Sequence, residues 1–412
     1  MNLFRIFHKN WKPIFCFFGG LHEISASLVL INTTNKKLKI QKHFHSINRE
    51  EDGFGEKDIV DALAQLIKKI SKKTPLLLSL EQPFAKSTKV RFSVVRENAL
   101  SPIDKEELEN VILNLAWRLY DKERIFVSQK LKISEWDVVL ADSKISDPRI
   151  DDRKVLNPIG FSGKSLSFCL ENTYLNYLFW ENIKDVLESW GGELVLCAEK
   201  NLIFDKISSL IERRDQIAFV EIGPYSTSVA VLGNYLNSYR LFEWGSMNLI
   251  KSLSQRLDVS LELAKELQDL YSRGGMSEAA HEWFKKIFEK ELKILAQGIA
   301  LAFKDVGLTE KISYIYLAGD LKDFPDTIPY LENQKWSATF FTNPVKIKFY
   351  DASQLIKDLN LELINFNESE LTINLVMNLA AIFWVDNKYE EMNKILKRRI
   401  KWLNQNLLQK RQ

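Results

Sequence analysis

Two short stretches constrain this chain more than any other. Residues 15–30, FCFFGGLHEISASLVL, and residues 219–232, FVEIGPYSTSVAVL, each run from an apolar strand through a glycine turn into a second apolar strand. A strand pair around a glycine turn, met twice in one chain, predicts two halves that share a grammar, although no strict sequence repeat is present. The second hairpin raises a chemical question. Its strand leads through an acid, Glu221, and Gly223 into the hydroxyl run Ser226, Thr227 and Ser228, as a phosphate-holding turn does, yet Pro224 and Tyr225 stand where small residues are expected.

At 412 residues the chain exceeds one compact core, which predicts about two to four domains. Around the hairpins the pattern alternates. KDIVDALAQLIKKISKK places Ile59, Leu63, Leu66, Ile67 and Ile70 at helical spacing, and TPLLLSLE reads as a buried strand. The texture then changes at KVRFSVVRE, an alternating strand. SPIDKEELENVILNLAWRLYDK follows as a helix with Ser101 as its N-cap and Pro102 at its first position. WDVVLADSKI and KSLSFCLENTYL are further strands around a polar loop, so strand, helix, strand, strand form a module inserted in the first half. After the second hairpin a helical region runs from about residue 246 to 304, broken at Arg273-Gly274-Gly275, and KISYIYLAGD is another buried strand ending at a glycine. The expected class is therefore α/β.

These stretches together carry a resemblance. The order is a glycine turn (18–31), an inserted module closed by VLNPIGFSGKSL, then EIGPYSTSVAVL, WGSMNLIKSLSQRLDVSLELAKELQDLYSRGG and IYLAGDLKDFP. It resembles the actin-like ATPase superfamily, specifically the bacterial cell-division protein FtsA, with the pilus-assembly protein PilM as a close second. The resemblance implies an actin-like bilobed fold built of ribonuclease-H-like halves, with a small inserted α+β domain. Its expected bounds are 1–80 plus 175–212 for the first lobe, 81–174 for the inserted domain, 213–387 for the second lobe and 388–412 for a terminal helix. It also implies ATP with magnesium held by Gly19, Gly20, Glu221, Gly223, Ser226, Thr227, Gly245 and Gly319. That chemistry needs close backbone approach to phosphate, an Asp in each hairpin near the metal, and a Gly-Gly turn against the adenosine.

The chain departs from that pattern at each contact point. Residues 1–51 contain no Asp, and the acid in the first turn is Glu23. Glu221 stands for Asp, which moves the carboxylate by a methylene. Pro224 removes a backbone donor and Tyr225 adds bulk. Gly245-Ser246 stands for Gly-Gly, and Asp320 puts a negative charge where the adenosine turn has its second glycine. The expectation is a degenerate cleft that does not hydrolyse ATP, with no catalytic residue assigned.

The C-terminal VDNKYEEMNKILKRRIKWLNQNLLQKRQ, placed on a helix, forms an apolar stripe of Met392, Ile395, Leu396, Ile400, Trp402, Leu403 and Leu407. Lys394, Lys397, Arg398 and Lys401 cluster opposite, and Arg399 falls inside the stripe. A basic amphipathic helix with a Trp fits an anionic membrane surface, as the FtsA resemblance also implies. The same stripe fits a helix packed on the body, on a second copy or on a partner.

Other constellations point away from chemistry. Cys16, Cys169 and Cys197 are far apart, as core thiols of a reducing compartment are. A net charge of +3 does not argue for nucleic acid. No apolar run approaches the roughly 18 residues of a membrane span, and the basic N-terminus lacks a small-residue cleavage site, so the expected place is the cytoplasm. His43-x-His45 lacks a third ligand, Asp147, Asp151 and Asp152 lack calcium-loop spacing, and Gly163-Lys164-Ser165 lacks the spacing of a phosphate loop, so no metal site is expected.

The function implied is an FtsA-like cell-division scaffold, peripheral on the inner face of the cell membrane, that self-associates and tethers a filament-forming FtsZ-like partner. The alternatives are a PilM-like cytoplasmic subunit of a type IV pilus or secretion assembly, and an active ATPase whose metal is held by Glu221 and Glu23.

Overall fold

The computed structural model describes residues 11–32, 37–48, 52–200, 202–203, 217–232, 238–306, 311–321, 324–334, 341–358, 362–364, 381 and 389–409. They fall into two units. One lies within Met1–Lys206, Leu361–Phe366 and Met377–Gln412, the other within Ile207–Asn360 and Asn367–Val376.

In the first unit, β1 (Lys12–Gly19), β2 (Glu23–Asn32) and β3 (Lys37–Ile47) form a meander, followed by α1 (Glu56–Ile67) and β4 (Leu76–Leu80). The continuous apolar runs of β1 and β4 have the cause expected for central strands. Phe15, Cys16, Phe17 and Phe18, like Leu76, Leu77 and Leu78, are buried on both faces of the sheet. Helix α3 (Tyr177–Trp190) leads into β9 (Leu194–Glu199), and β15 (Glu362–Ile364) completes the sheet in the order β15-β3-β2-β1-β4-β9. The meander is antiparallel, while β4 runs parallel to β1 and β9 parallel to β4.

Between β4 and α3 lies a module of β5 (Ala85–Val95), α2 (Lys105–Leu131), β6 (Val138–Ile150), β7 (Arg153–Lys154) and β8 (Ser165–Asn176), with sheet order β5-β8-β6-β7. Helix α2 starts three residues later than Ser101-Pro102 suggests. Ile103 is tied by its N–H and C=O to Phe161 and Gly160, which holds the backbone out of the helix, and the Asp104 carboxylate caps it by accepting Glu107 N–H at 2.8 Å. The polar loop contains a tight hairpin with Asp151 and Asp152 both in the left-handed region (φ 47° and 64°).

This module closes the edge of the main sheet. The outer edge of β9 gives Cys197 N–H to the Asp142 carboxylate at 2.9 Å and Glu199 N–H to Ser87 Oγ at 3.1 Å. Glu199, with no exposed surface, accepts Ser87 N–H in return and pairs with Lys86 Nζ at 3.2 Å. A strand edge that would otherwise present open donors is thereby covered.

The second unit repeats the main-sheet plan. Strands β10 (Ile217–Ile222), β11 (Thr227–Leu232), β12 (Ser238–Phe242), β13 (Ile312–Gly319) and β14 (Phe341–Phe349) are ordered β12-β11-β10-β13-β14. The first three are antiparallel neighbours, and β13 and β14 join in parallel. With β15 set aside, the first sheet reads third-second-first-fourth-fifth in its own strand count, and so does the second. Two ribonuclease-H-like sheets in one chain, the first interrupted by an inserted module, make this an actin-like α/β fold.

Between β12 and β13 run α4 (Met247–Leu257), α5 (Leu261–Ser272) and α6 (Glu278–Val306); α7 (Thr327–Glu332) and α8 (Ala352–Asp358) follow. Phe284, Ile287, Phe288, Leu292, Leu295, Ile299 and Phe303 recur at helical spacing on α6 and fill the core of this unit.

The terminal helix α9 (Glu390–Gln409) begins against protein. Met392, Leu396 and Ile400 are at most 7% exposed, inside the core of the inserted module with Leu108, Ile112, Leu140 and Phe168, and Ile395 packs against the same cluster. Asn393 fixes the register: its side chain accepts Ile145 N–H at 2.8 Å and donates to Ile145 C=O at 3.4 Å. The apolar stripe is thus spent on protein through residue 400. Lys394, Lys397 and Arg398 face outward, with Lys394 paired to Glu390 at 2.6 Å. Lys401, Trp402, Leu403 and Leu407 lie on the helix, with side chains outside the described set.

Truncating Leu396 in this core by Leu396→Ala is expected to cost about 3 kcal/mol, within the range for buried leucines. The exposed Lys394→Ala is expected to stay within about 0.5 kcal/mol. Urea denaturation of the two variants compares them directly.

Candidate functional site: two glycine turns closed by acids

The strand registers bring the residues singled out by sequence to two equivalent places. In the first unit Gly19 of β1 is level with Leu80 of β4, so Glu81 emerges beside the turn. In the second unit Ile222 of β10 is level with Gly319 of β13, so Asp320 does the same. The hydrogen bonds match pair by pair. Glu81 N–H donates to Gly19 C=O and Asp320 N–H to Ile222 C=O, each at 2.9 Å. Gly20 N–H donates to Glu23 C=O at 2.8 Å and Gly223 N–H to Ser226 C=O at 2.9 Å, closing two turns of equal length.

The second turn gathers Gly223, Thr227, Gly245 and Gly319 as the resemblance implies, but their polar groups are engaged with one another. Gly319 has φ +95°, and a Cβ there would lie 2.0 Å from the Ile222 carbonyl oxygen, so this close crossing demands glycine. Gly245 lies flat on the Pro224–Tyr225 peptide, where a Cβ would come within 2.4 Å of backbone atoms. Ser246 N–H donates to Gly223 C=O and Met247 N–H to Pro224 C=O, both at 2.9 Å. These are donors at the start of α4, the groups a helix N-terminus would offer to an anion. Three nearby hydroxyls are committed too. Thr227 Oγ1 donates to Trp244 C=O at 2.7 Å, Ser228 Oγ to Glu221 at 3.4 Å and Ser246 Oγ to Asp320 at 2.8 Å. Lys251 sits 5.3 Å above the Tyr225 ring, so that ring is part of the packing over the turn.

In the first turn, Glu81 accepts Leu21 N–H at 3.3 Å and faces Lys200 Nζ at 3.5 Å. Glu23 pairs with His45 at 3.4 Å, and His43 Nδ1 meets Ser27 Oγ at 2.8 Å. The two acids offered as metal ligands therefore have protein partners, and among the described residues no group of three metal-type side chains converges. Asp147 holds Arg91, Arg149 and Lys154, while Asp151 accepts Lys164 and Ser165 N–H, as turn-stabilising acids do. All three cysteines are buried, and none is in a disulfide.

Both turns bond several of their own donors and carry an acid at the mouth. The amides of Gly20, Leu21, Gly223, Ser246 and Met247 are bonded to carbonyls or a carboxylate of the chain, and a second anion beside Glu81 or Asp320 would meet like charge. Sequence reasoning found the glycines but missed Glu81 and Lys200. The one signal was their place immediately after buried strands.

No family model and no curated protein matches the chain. Solved structures are similar over most of its length at low identity. A chain of a PilM–PilN type IV pilus biogenesis complex is 14% identical, with 94% of this chain and 98% of that one covered at a TM-score of 0.47. A Bacteroides thetaiotaomicron protein with an actin-like ATPase fold and unknown function is 8% identical, covering 92% and 98% at 0.40. The cytoplasmic domain of EpsL, an inner-membrane component of the Vibrio cholerae type II secretion system, is 9% identical, covering 85% and 93% at 0.36. These likenesses concern fold, and the assignment here rests on the strand order of the two sheets.

Because Gly245 touches backbone, Gly245→Ala is expected to destabilise the second unit by about 1–3 kcal/mol in denaturant unfolding, with or without added ATP. A pH effect is expected at His45. Its hydrogen bond to Glu23 raises the imidazole pKa, burial opposes this, and the Glu23 charge adds to the rise. The folded value lies above the unfolded one, so the pair's stabilisation is full below about pH 6.5 and is lost as pH climbs through the raised value. Glu23→Gln is expected to flatten that slope, and an NMR titration of His45 reads it.

Proposed function

We propose that this protein is a PilM-like scaffold: a subunit of a pilus or secretion assembly that grips an extended peptide of an inner-membrane partner and does not turn over ATP. The observation that carries the reading is the burial of Met392, Leu396 and Ile400 in the inserted module. An FtsA-type scaffold needs the apolar face of that helix for lipid, and here it is core. Membrane proximity then comes through the partner protein rather than through this chain's own lipid contact. The self-closed glycine turns support binding, not hydrolysis, as the basis of function.

The test has two arms. In co-sedimentation with anionic and neutral liposomes, the full chain is expected to remain in the supernatant. Pelleting with anionic lipid alone, abolished by Lys394→Glu, Lys397→Glu and Arg398→Glu together on the exposed face, would return the division-type anchor. In fluorescence anisotropy, a peptide from the cytoplasmic end of a pilus inner-membrane subunit is expected to bind, and the tail peptide of an FtsZ-like protein is not. The reverse preference rejects the proposal.

A further inference from the structure

The first glycine turn differs from the second in holding a charged pair, and its residues suit a particular ligand chemistry. β1, β4 and β9 run parallel, and Gly19, Leu80 and Glu199 are level at their C-terminal ends. Glu81 and Lys200, the next residues on β4 and β9, therefore converge at the mouth of the turn. The crevice beyond the carboxyl ends of parallel strands is where α/β sheets take ligands.

Around the Glu81 carboxylate are an amide donor, a glycine and a buried cation. Leu21 N–H reaches Oε2 at 3.3 Å, and a Cβ on Gly20 would stand 2.7 Å from that same oxygen. Lys200 is 1% exposed, its Nζ 3.5 Å from Oε1 and 5.6 Å from the centre of the Phe18 ring. A lysine buried so completely needs an anion nearby. An amide N–H at a glycine turn, close backbone approach and a lysine are also what a phosphate group takes from a protein.

We infer that the first turn is a phosphate-type anion site which the chain fills with its own Glu81, Lys200 supplying the counter-charge. This deepens the non-hydrolysing reading, on which it rests. With Glu81 seated, an incoming phosphate would place two anions against one lysine and is excluded. With Glu81 removed, Lys200 and Leu21 N–H lose this carboxylate, and an outside anion of the inorganic phosphate or pyrophosphate class can take its place.

Thermal unfolding of the full chain, titrated with pyrophosphate against chloride at matched ionic strength, tests this. The native protein is expected to show no saturable shift. Glu81→Ala is expected to unfold at lower temperature and to regain stability saturably, with affinity at least about tenfold above that of the native protein. Glu81→Ser empties the site while keeping a small polar side chain and is expected to show the same gain, which covers the case in which Glu81→Ala does not fold. Adding Lys200→Ala to either variant is expected to abolish the response. Equal pyrophosphate binding by native protein and variants, or no response in the variants, overturns the inference. Steady-state ATP turnover by the native protein is read separately, and its presence would reject the scaffold reading whatever the pyrophosphate titration gives.

Discussion

Parallel strands that end level with one another deliver their next residues to a common point, and the chemistry of this protein depends on that register. Gly19, Leu80 and Glu199 end level in one sheet, Ile222 and Gly319 in the other. What stands at the two convergences is decided by single residues: Glu81 and Lys200 in the first, Asp320 and Ser246 in the second. At both turns the backbone directs amides onto the chain's own acids and carbonyls. Turns whose amides at Gly20, Gly223, Ser246 and Met247 are bonded within the chain hold their shape without a ligand.

The inserted module is bound to that platform through Glu199. Its carboxylate lies at the end of β9, has no exposed surface, and takes both Lys86 and Ser87 N–H from β5. Removing one partner of such a buried pair typically costs about 3–5 kcal/mol, because the other charge is left without compensation. The Asp142 carboxylate, which accepts Cys197 N–H, adds a second tie on the same strand edge. The module is consequently an extension of the main sheet and not a freely hinged appendage.

Much of the fold was legible in the sequence, for physical reasons that differ by element. β1, β4, β10 and β13 are apolar enough on both faces to read as central strands, and the glycine turns between hairpin strands have few alternatives. The start of α2 was less legible, because Ser101-Pro102 and Asp104 are both good initiators. A long-range pairing of Ile103 with the 160–161 backbone selects Asp104. The partner of α9 was not legible at all. Met392, Leu396 and Ile400 make the same stripe whether lipid or the α2–β6 face covers it, and only the fold says which. Glu81 was invisible for a related reason: its meeting with Leu21 spans 60 positions and depends on a strand register that local pattern does not encode.

The docking of α9 also sets an order of events. The inserted module gathers β5 to β8 early in the chain, yet Met392, Leu396 and Ile400 fill its core. On a ribosome, where domains tend to fold as they emerge, this module has to wait with an open apolar face while the whole second unit is made. Helix α9 then acts as a seal. A nascent chain that stalls before α9 carries a finished main sheet and a gap that a chaperone or protease can recognise.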